Sequence, residues 1–133
     1  MRHAIAYLSN AKPDLSEEEI ANILKKAREY NNAHGITGLL LYRDGNFFEL
    51  IEGEKTKIKE LYATIKEDSR HQNIIHFLER AADQEPYDGF YSDHVTNEAK
   101  YDSEKLKNYI DHIEVMDPKA KNALEKVISL FLH

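Results

Sequence analysis

The stretch Thr37-Gly38-Leu39-Leu40-Leu41-Tyr42-Arg43-Asp44-Gly45-Asn46-Phe47-Phe48-Glu49-Leu50-Ile51-Glu52-Gly53 reads as two apolar strands around a tight turn. Asp-Gly between apolar runs is a strong type I′ signal, because that turn needs positive φ at both central residues. A hairpin of strands 37–43 and 46–52 is therefore predicted. In its second strand a period of two puts Phe47, Glu49 and Ile51 on one face and Phe48 and Leu50 on the other. Glu49 thus shares a face with two large apolar side chains. It is either a tolerated charge on a solvent-facing strip or a desolvated carboxyl held by partners, and desolvation would raise its pKa.

Outward from the hairpin, Arg2 to Ser9 reads as a strand with Ile5, Tyr7 and Ser9 on one face and Ala4, Ala6 and Leu8 on the other. Both sets are largely apolar, as in a strand covered on both sides. After a loop over 10–14, Ser16 with Glu19 forms a capping box. The helix it opens carries Ile20, Ile23, Leu24 and Ala27 at helical spacing and ends near Asn31-Asn32, before Gly35. A second helix follows Gly53, runs to about Asp68 and turns Ile58, Leu61, Tyr62 and Ile65 inward. A loop over 69–72 leads to a fourth strand over 73–80. An irregular stretch through Gln84-Glu85-Pro86 then precedes a weaker strand over 90–96.

The order βαββαββ implies an α+β, ferredoxin-like mixed sheet with both helices on one face. Two more stripes follow: Leu106, Tyr109, Ile110 and Ile113, then Leu124, Val127, Ile128 and Phe131 behind an N-cap and N1 pair at Asp117-Pro118. They predict two C-terminal helices that cover the other sheet face, and the same stripes can build a homo-oligomer interface. Residues 1–97 then form the sheet domain and 98–133 a two-helix extension of the same structural unit.

At 133 residues and 41% hydrophobic content the chain makes one domain, with no room for a second catalytic one. A net charge of -6 with both signs interspersed gives no basic stripe, so nucleic acid is not expected as a partner. The absence of cysteine excludes disulfides, thiol nucleophiles and thiolate metal sites. His3, His76 and His94 have no metal-ligand spacing, and no nucleophile stands at a telling distance from a base, so neither a metal site nor an enzyme is expected. Apolar runs are strand-sized and the N-terminus lacks a signal-peptide core, which points to a cytoplasmic protein without a membrane span.

Four stretches together resemble the BLUF family, the flavin-binding sensors of blue light, over about residues 2–96. Ile5-Ala6-Tyr7-Leu8-Ser9 with Pro13-Asp14-Leu15-Ser16 resembles the first strand and the entry to the first helix. Asn31 stands six residues before Thr37, where the family places a flavin-binding asparagine, and Ile36-Thr37-Gly38-Leu39-Leu40-Leu41-Tyr42 is similar to the second strand. Phe47-Phe48-Glu49-Leu50-Ile51-Glu52-Gly53 is similar to the FFQ(x)LEG signature, and Asp68-Ser69-Arg70-His71 to the D-x-R-H segment after the second helix.

The resemblance implies binding of FAD, with FMN or riboflavin as alternatives, between the two helices. Ile23 and Ile65 would contact the faces of the ring, and Asn31 its polar edge. Tyr7 would be the electron and proton donor, held by residue 49. Asp68, Arg70 and His71 complete the implied set, the last two near the pocket mouth where a cation can meet phosphates. Without the family, Ile23 and Ile65 are ordinary core residues, Tyr7 a core tyrosine satisfied by Glu49, and Arg70 a solvated surface residue.

The chain departs from the family pattern at its chemistry. The family has glutamine where Glu49 stands, and an amide presents a donor on one side and an acceptor on the other, so its rotation changes which one faces the flavin. An ionised carboxylate only accepts. A neutral one donates and accepts, but its rotation exchanges two oxygens. Phe90 and Ser92 stand where the family often has tryptophan and methionine, and the chain has no tryptophan. The implied function is a blue-light sensor that signals through a separate protein partner, with a photocycle altered by Glu49. The alternative is a degenerate module of the same fold that serves interaction or oligomerisation without sensing light.

Overall fold

The computed structural model describes residues 2–82 and 90–94. In chain order these form β1 (Arg2–Ala11), α1 (Glu17–Ala33), β2 (Thr37–Arg43), β3 (Asn46–Glu54), α2 (Lys55–Glu67), β4 (His71–Ala82) and β5 (Phe90–His94). The expectations for 84–86, for 95–96 and for the two-helix extension over 98–133 lie outside the described residues.

The strands form one sheet in the order β4-β1-β3-β2-β5. β1 runs antiparallel to β3 and β4, β3 antiparallel to β2, and β5 parallel to β2. The sheet is therefore mixed, as the ferredoxin-like reading expected, and β5 extends it alongside β2. Asp44 (φ 47°) and Gly45 (φ 85°) both have positive φ, as a type I′ turn requires, and they close the hairpin of β2 and β3.

Local chemistry fixes the helix starts. Ser16 accepts from the Glu19 amide at 3.1 Å while its own amide donates to Glu19 Oε1 at 3.4 Å, which completes the capping box of α1. Glu54 caps α2 by accepting from the amides of Thr56 and Lys57, each at 3.2 Å. Both helices pack on one sheet face: Ile20 and Leu24 of α1 and Ile58 and Tyr62 of α2 join Ile5, Tyr7, Leu40, Phe47, Ile51 and Phe90 in one cluster. On the opposite face Leu39, Leu41, Phe48 and Leu50 are buried too. Beside them Glu52, fully buried, takes the Arg2 guanidinium at 3.2 and 3.3 Å.

Three strands are longer than expected. β3 runs on to Glu54 and β4 to Ala82. At the other end β1 continues to Ala11 and β4 begins at His71, where the two residues pair. This end of the sheet is polar and held by explicit bonds rather than by an apolar period. The Ala11 amide donates to the Gly45 carbonyl at 2.8 Å, and the Lys12 amide to that of Arg70 at 2.9 Å. Asn10 bonds Asn46 at 2.8 Å and accepts from Asn73 at 3.2 Å. A periodicity reading takes such a stretch for loop.

Gly38 lets β2 lie close to β3. Its φ is +146°, and a Cβ there would stand 1.9 Å from the Leu50 carbonyl oxygen, a backbone atom that cannot move aside. Gly38→Ala is expected to destabilise the fold by about 3 kcal/mol or more, through strain and overlap together. Urea unfolding of the two proteins measures it, as a lower midpoint at unchanged slope.

Candidate functional site

On the helix-covered side of the sheet, between α1 and α2, lies a cavity of about 640 Å³. That is a size suited to a small organic ligand. Its apolar walls come from Ile23 and Ala27 of α1 and Leu61 and Ile65 of α2, with Leu40 and Phe47 of the sheet. Ile23, Ala27, Leu61 and Ile65 are only partly buried against the core cluster, and their remaining surface faces the cavity.

Strand register builds the polar centre. β1 and β3 pair with Tyr7 directly opposite Glu49 and Ile5 opposite Ile51, and on its other side Glu49 faces Leu40 of β2. The Tyr7 hydroxyl donates to Glu49 Oε1 at 2.5 Å. Glu49 is 3% exposed, so its carboxyl is desolvated rather than placed on a solvent strip. Burial pushes its pKa up from the ordinary 4.5 to about 7, against a smaller downward pull from the Tyr7 hydrogen bond. Burial, and after it the charge of Glu49, raises Tyr7 well above the usual phenol value.

Asn31 sits in the last turn of α1, where its carbonyl accepts from the amides of Ile36 at 2.9 Å and His34 at 3.2 Å. The residue is 2% exposed and lines the cavity, with its side-chain Oδ1 unpartnered among the described residues. A buried amide oxygen without a donor costs roughly 1–3 kcal/mol, which a ligand N–H placed there would recover.

The segment after α2 is tied inward. Arg70 donates from Nε to Asp68 Oδ1 at 2.9 Å and from Nη2 to Oδ2 at 2.5 Å. That bond is the main cause holding the Asp68 carboxyl below its ordinary pKa and Arg70 above its own. His71 bridges two elements, with Nε2 at 2.6 Å from the Ile65 carbonyl and Nδ1 at 2.7 Å from Ser9 Oγ. A carbonyl only accepts, so Nε2 carries hydrogen, and in the neutral ring Nδ1 accepts from Ser9.

Tyr7, Ile23, Asn31, Glu49, Ile65, Asp68, Arg70 and His71, all singled out from the sequence, line this one cavity. Phe90 and Ser92 do not; they dock β5 onto α1. Ser92 Oγ donates to the Leu24 carbonyl at 2.7 Å and accepts from Arg28 Nη1 at 2.9 Å. Asn32 brackets Phe90, accepting from its amide at 2.8 Å and donating to its carbonyl at 3.2 Å. His3 and His76 lie against the same carboxylate, Glu79, at 2.7 and 3.5 Å.

The sequence reading passed over Lys26, Tyr30, Lys57 and Thr64, which also line the cavity. Helical spacing could have found them: Lys26 and Tyr30 are three and seven residues from Ile23, and Lys57 and Thr64 are four and three from Leu61. Asn32 carried no comparable signal, because its partner is a backbone 58 residues away.

Residues 3–92 match the BLUF family, described as sensors of blue-light using FAD. The blue light- and temperature-regulated antirepressor BluF of Escherichia coli K12 is 32% identical over 78 residues, which are 59% of this chain and 19% of that protein. Photoactivated adenylate cyclase subunit alpha of Euglena gracilis is 32% identical over 83 residues, 62% of this chain and 8% of that protein. The chain thus spans under a fifth of the length of these curated relatives. Among solved structures, BlrP1 of Klebsiella pneumoniae with FMN and cyclic diGMP superposes with a TM-score of 0.75 at 20% identity, over 99% of this chain and 34% of that one, a likeness of fold. No described helix is long and apolar enough to cross a membrane.

The raised pKa of Glu49 has a definite sign in stability. The folded chain holds a proton that the unfolded chain releases, so this contribution is full below pH 4.5 and is lost as pH rises to about 7. On the ligand-free protein, the stability of native chain minus Glu49→Gln is expected to fall by about 3 kcal/mol between about pH 4.5 and pH 8. Urea unfolding at several pH values measures it, and taking the difference removes the shared contributions of Asp68 and Glu79.

Proposed function

The chain belongs to the BLUF family, sensors of blue-light using FAD, and on that premise we propose that it binds a flavin between α1 and α2 and serves as a light-sensing domain that signals to a separate protein partner. FAD is the first ligand to expect, with FMN or riboflavin as alternatives that share the same ring. The observation that carries the proposal is the buried Tyr7–Glu49 hydrogen bond in the wall of a ligand-sized cavity. Fit to the ligand is supported by the unpartnered Asn31 Oδ1, which calls for a donor such as the ring's imide N–H.

A bound flavin supplies visible absorption and, once excited, an electron acceptor. The rest is the work of this chain. Ile23 and Ile65 offer apolar surface to the ring faces, and Asn31 fixes its polar edge. Tyr7 is the electron donor, and its hydroxyl proton already points at Glu49 Oε1. Arg70, neutralised by Asp68, is a weaker phosphate ligand than a free cation would be. Where the resemblance expects glutamine, Glu49 accepts the Tyr7 hydrogen bond on Oε1 and has no N–H to present to the ring, so the exchange of an amide N–H for its carbonyl has no direct counterpart here. The photocycle is therefore altered at this position. The names of the relatives, an antirepressor and adenylate cyclase subunits, suggest that family members couple light to a different effector in each protein. For this chain the apolar stripes in the sequence of the extension over 98–133 support homo-oligomer contacts there.

The test is the absorption spectrum of the FAD-loaded protein in darkness and after blue light. We expect flavin binding in the native chain and in Glu49→Gln, a reversible red shift in Glu49→Gln that is diminished or absent in the native chain, and no shift in Tyr7→Phe/Glu49→Gln. Colourless protein in every case, after FAD loading of folded chains, would leave the degenerate interaction module as the better reading.

A further inference from the structure

Among the described residues the Tyr7 hydroxyl is the only group bonded to Glu49. The other charged groups around the cavity are engaged elsewhere or remain in solvent. On α1, Lys26 is exposed and the His34 ring bonds the Tyr30 carbonyl at 2.7 Å. On α2, Lys57 reaches the His34 carbonyl at 3.4 Å and Glu60 is exposed. Tyr62, whose ring lies 5.8 Å from that of Tyr7, brings a phenol rather than a cation. Between α2 and β4, Arg70 is held by Asp68, and both nitrogens of His71 are taken by Ile65 and Ser9. Among the described residues no cation is aimed at Glu49 from β1, β3, α1, α2 or the start of β4, and β2 sets the aliphatic Leu40 across from it.

A ligand ring laid into the cavity removes the water that could solvate an ionised Glu49 and puts nothing positive in its place. Isolated charges are not buried in that way; the group takes up a proton instead. As a neutral acid, Glu49 still accepts from Tyr7 on Oε1 and gains an O–H with which to donate. The polar edge of a flavin ring carries two carbonyl oxygens, which only accept, on either side of the imide N–H that Asn31 Oδ1 would take. Resting on the flavin-binding reading above, we propose that Glu49 enters the complex as the neutral acid and donates its proton to a ligand carbonyl, so that flavin binding above neutral pH takes up one proton from solvent. One proton moves onto a Glu49 oxygen, and no other bond is made or broken.

Glu49 is thereby a specificity-determining residue: it favours ligands with an acceptor at that edge and makes their affinity pH-dependent. In the free chain the group titrates at about 7, so the window is accessible. Affinity should be level below that pH and fall roughly tenfold per pH unit above it, as expected when only the protonated form binds.

The test is titration of FAD into the ligand-free full chain between about pH 6 and pH 9, for native protein and Glu49→Gln. It is paired with calorimetry at about pH 8 in two buffers of different ionisation enthalpy. Expected are the tenfold-per-unit fall and uptake of close to one proton in the native protein, and a level profile without uptake in Glu49→Gln. A third readout needs no variant: adding FAD at about pH 8 should bring up the infrared C=O stretch of a protonated carboxylic acid, assigned by isotope-labelled glutamate. Equal pH profiles for the two proteins, or binding by the native chain without proton uptake, would overturn the proposal while leaving flavin binding intact. Failure of both folded proteins to bind FAD at any pH would overturn it together with the flavin reading.

Discussion

The pairing of β1 with β3 is the constraint on which the rest of the site depends. It sets Tyr7 across from Glu49, and because β1 is also paired with β4 on its other edge, position 7 is held by two ladders. A slip of one residue would turn Tyr7 to the opposite sheet face and leave Glu49 buried without a donor. Gly38 completes the arrangement by letting β2 close on β3, which puts Leu40 on the far side of Glu49. The carboxyl is thus enclosed by phenol on one side and aliphatic carbon on the other, and its raised pKa follows from that enclosure.

The two faces of the sheet divide the requirements of stability and binding. On one, Leu39, Leu41, Phe48 and Leu50 are all but inaccessible and have no chemistry to perform. On the other, Ile23, Ala27, Leu61 and Ile65 complete the core cluster with only part of their surface. That face also holds the unsatisfied Asn31 oxygen and the desolvated Glu49. Both are unfavourable in the free protein, and a ligand of matching polarity would give Asn31 Oδ1 a partner and add one to the Tyr7 bond that Glu49 already has. Such local destabilisation at a binding site is what preorganisation requires.

The hairpin, both helices and the order of elements along the chain were legible because each rests on a local signal: the Asp44-Gly45 turn, the Ser16 and Glu19 capping box, and apolar periods of two and of 3.6. The eight side chains drawn from the resemblance meet at one cavity, although their roles toward a ligand rest on the family rather than on any local rule. The missing parts depend on contacts distant in sequence. The polar ends of β1 and β4 are fixed by bonds among Asn10, Asn46 and Asn73, which no periodicity reports. Arg70 reads as a cation near the pocket mouth or a solvated surface residue, and only the folded chain shows Asp68 holding it. The strip position allowed for Glu49 was a fair reading of one strand, and it fails because two neighbouring strands and two helices enclose it.

Asn32 and Phe90 have a consequence of another kind. Among the described residues β5 is the last strand on its side of the sheet, and an outermost strand offers free peptide groups to any other chain that can extend the ladder. At Phe90 those groups are taken, since one side-chain amide supplies both the acceptor and the donor that an added strand's backbone would supply. The helix thus covers the sheet margin at Phe90 with a single side chain, which supplies there the donor and the acceptor of a neighbouring strand.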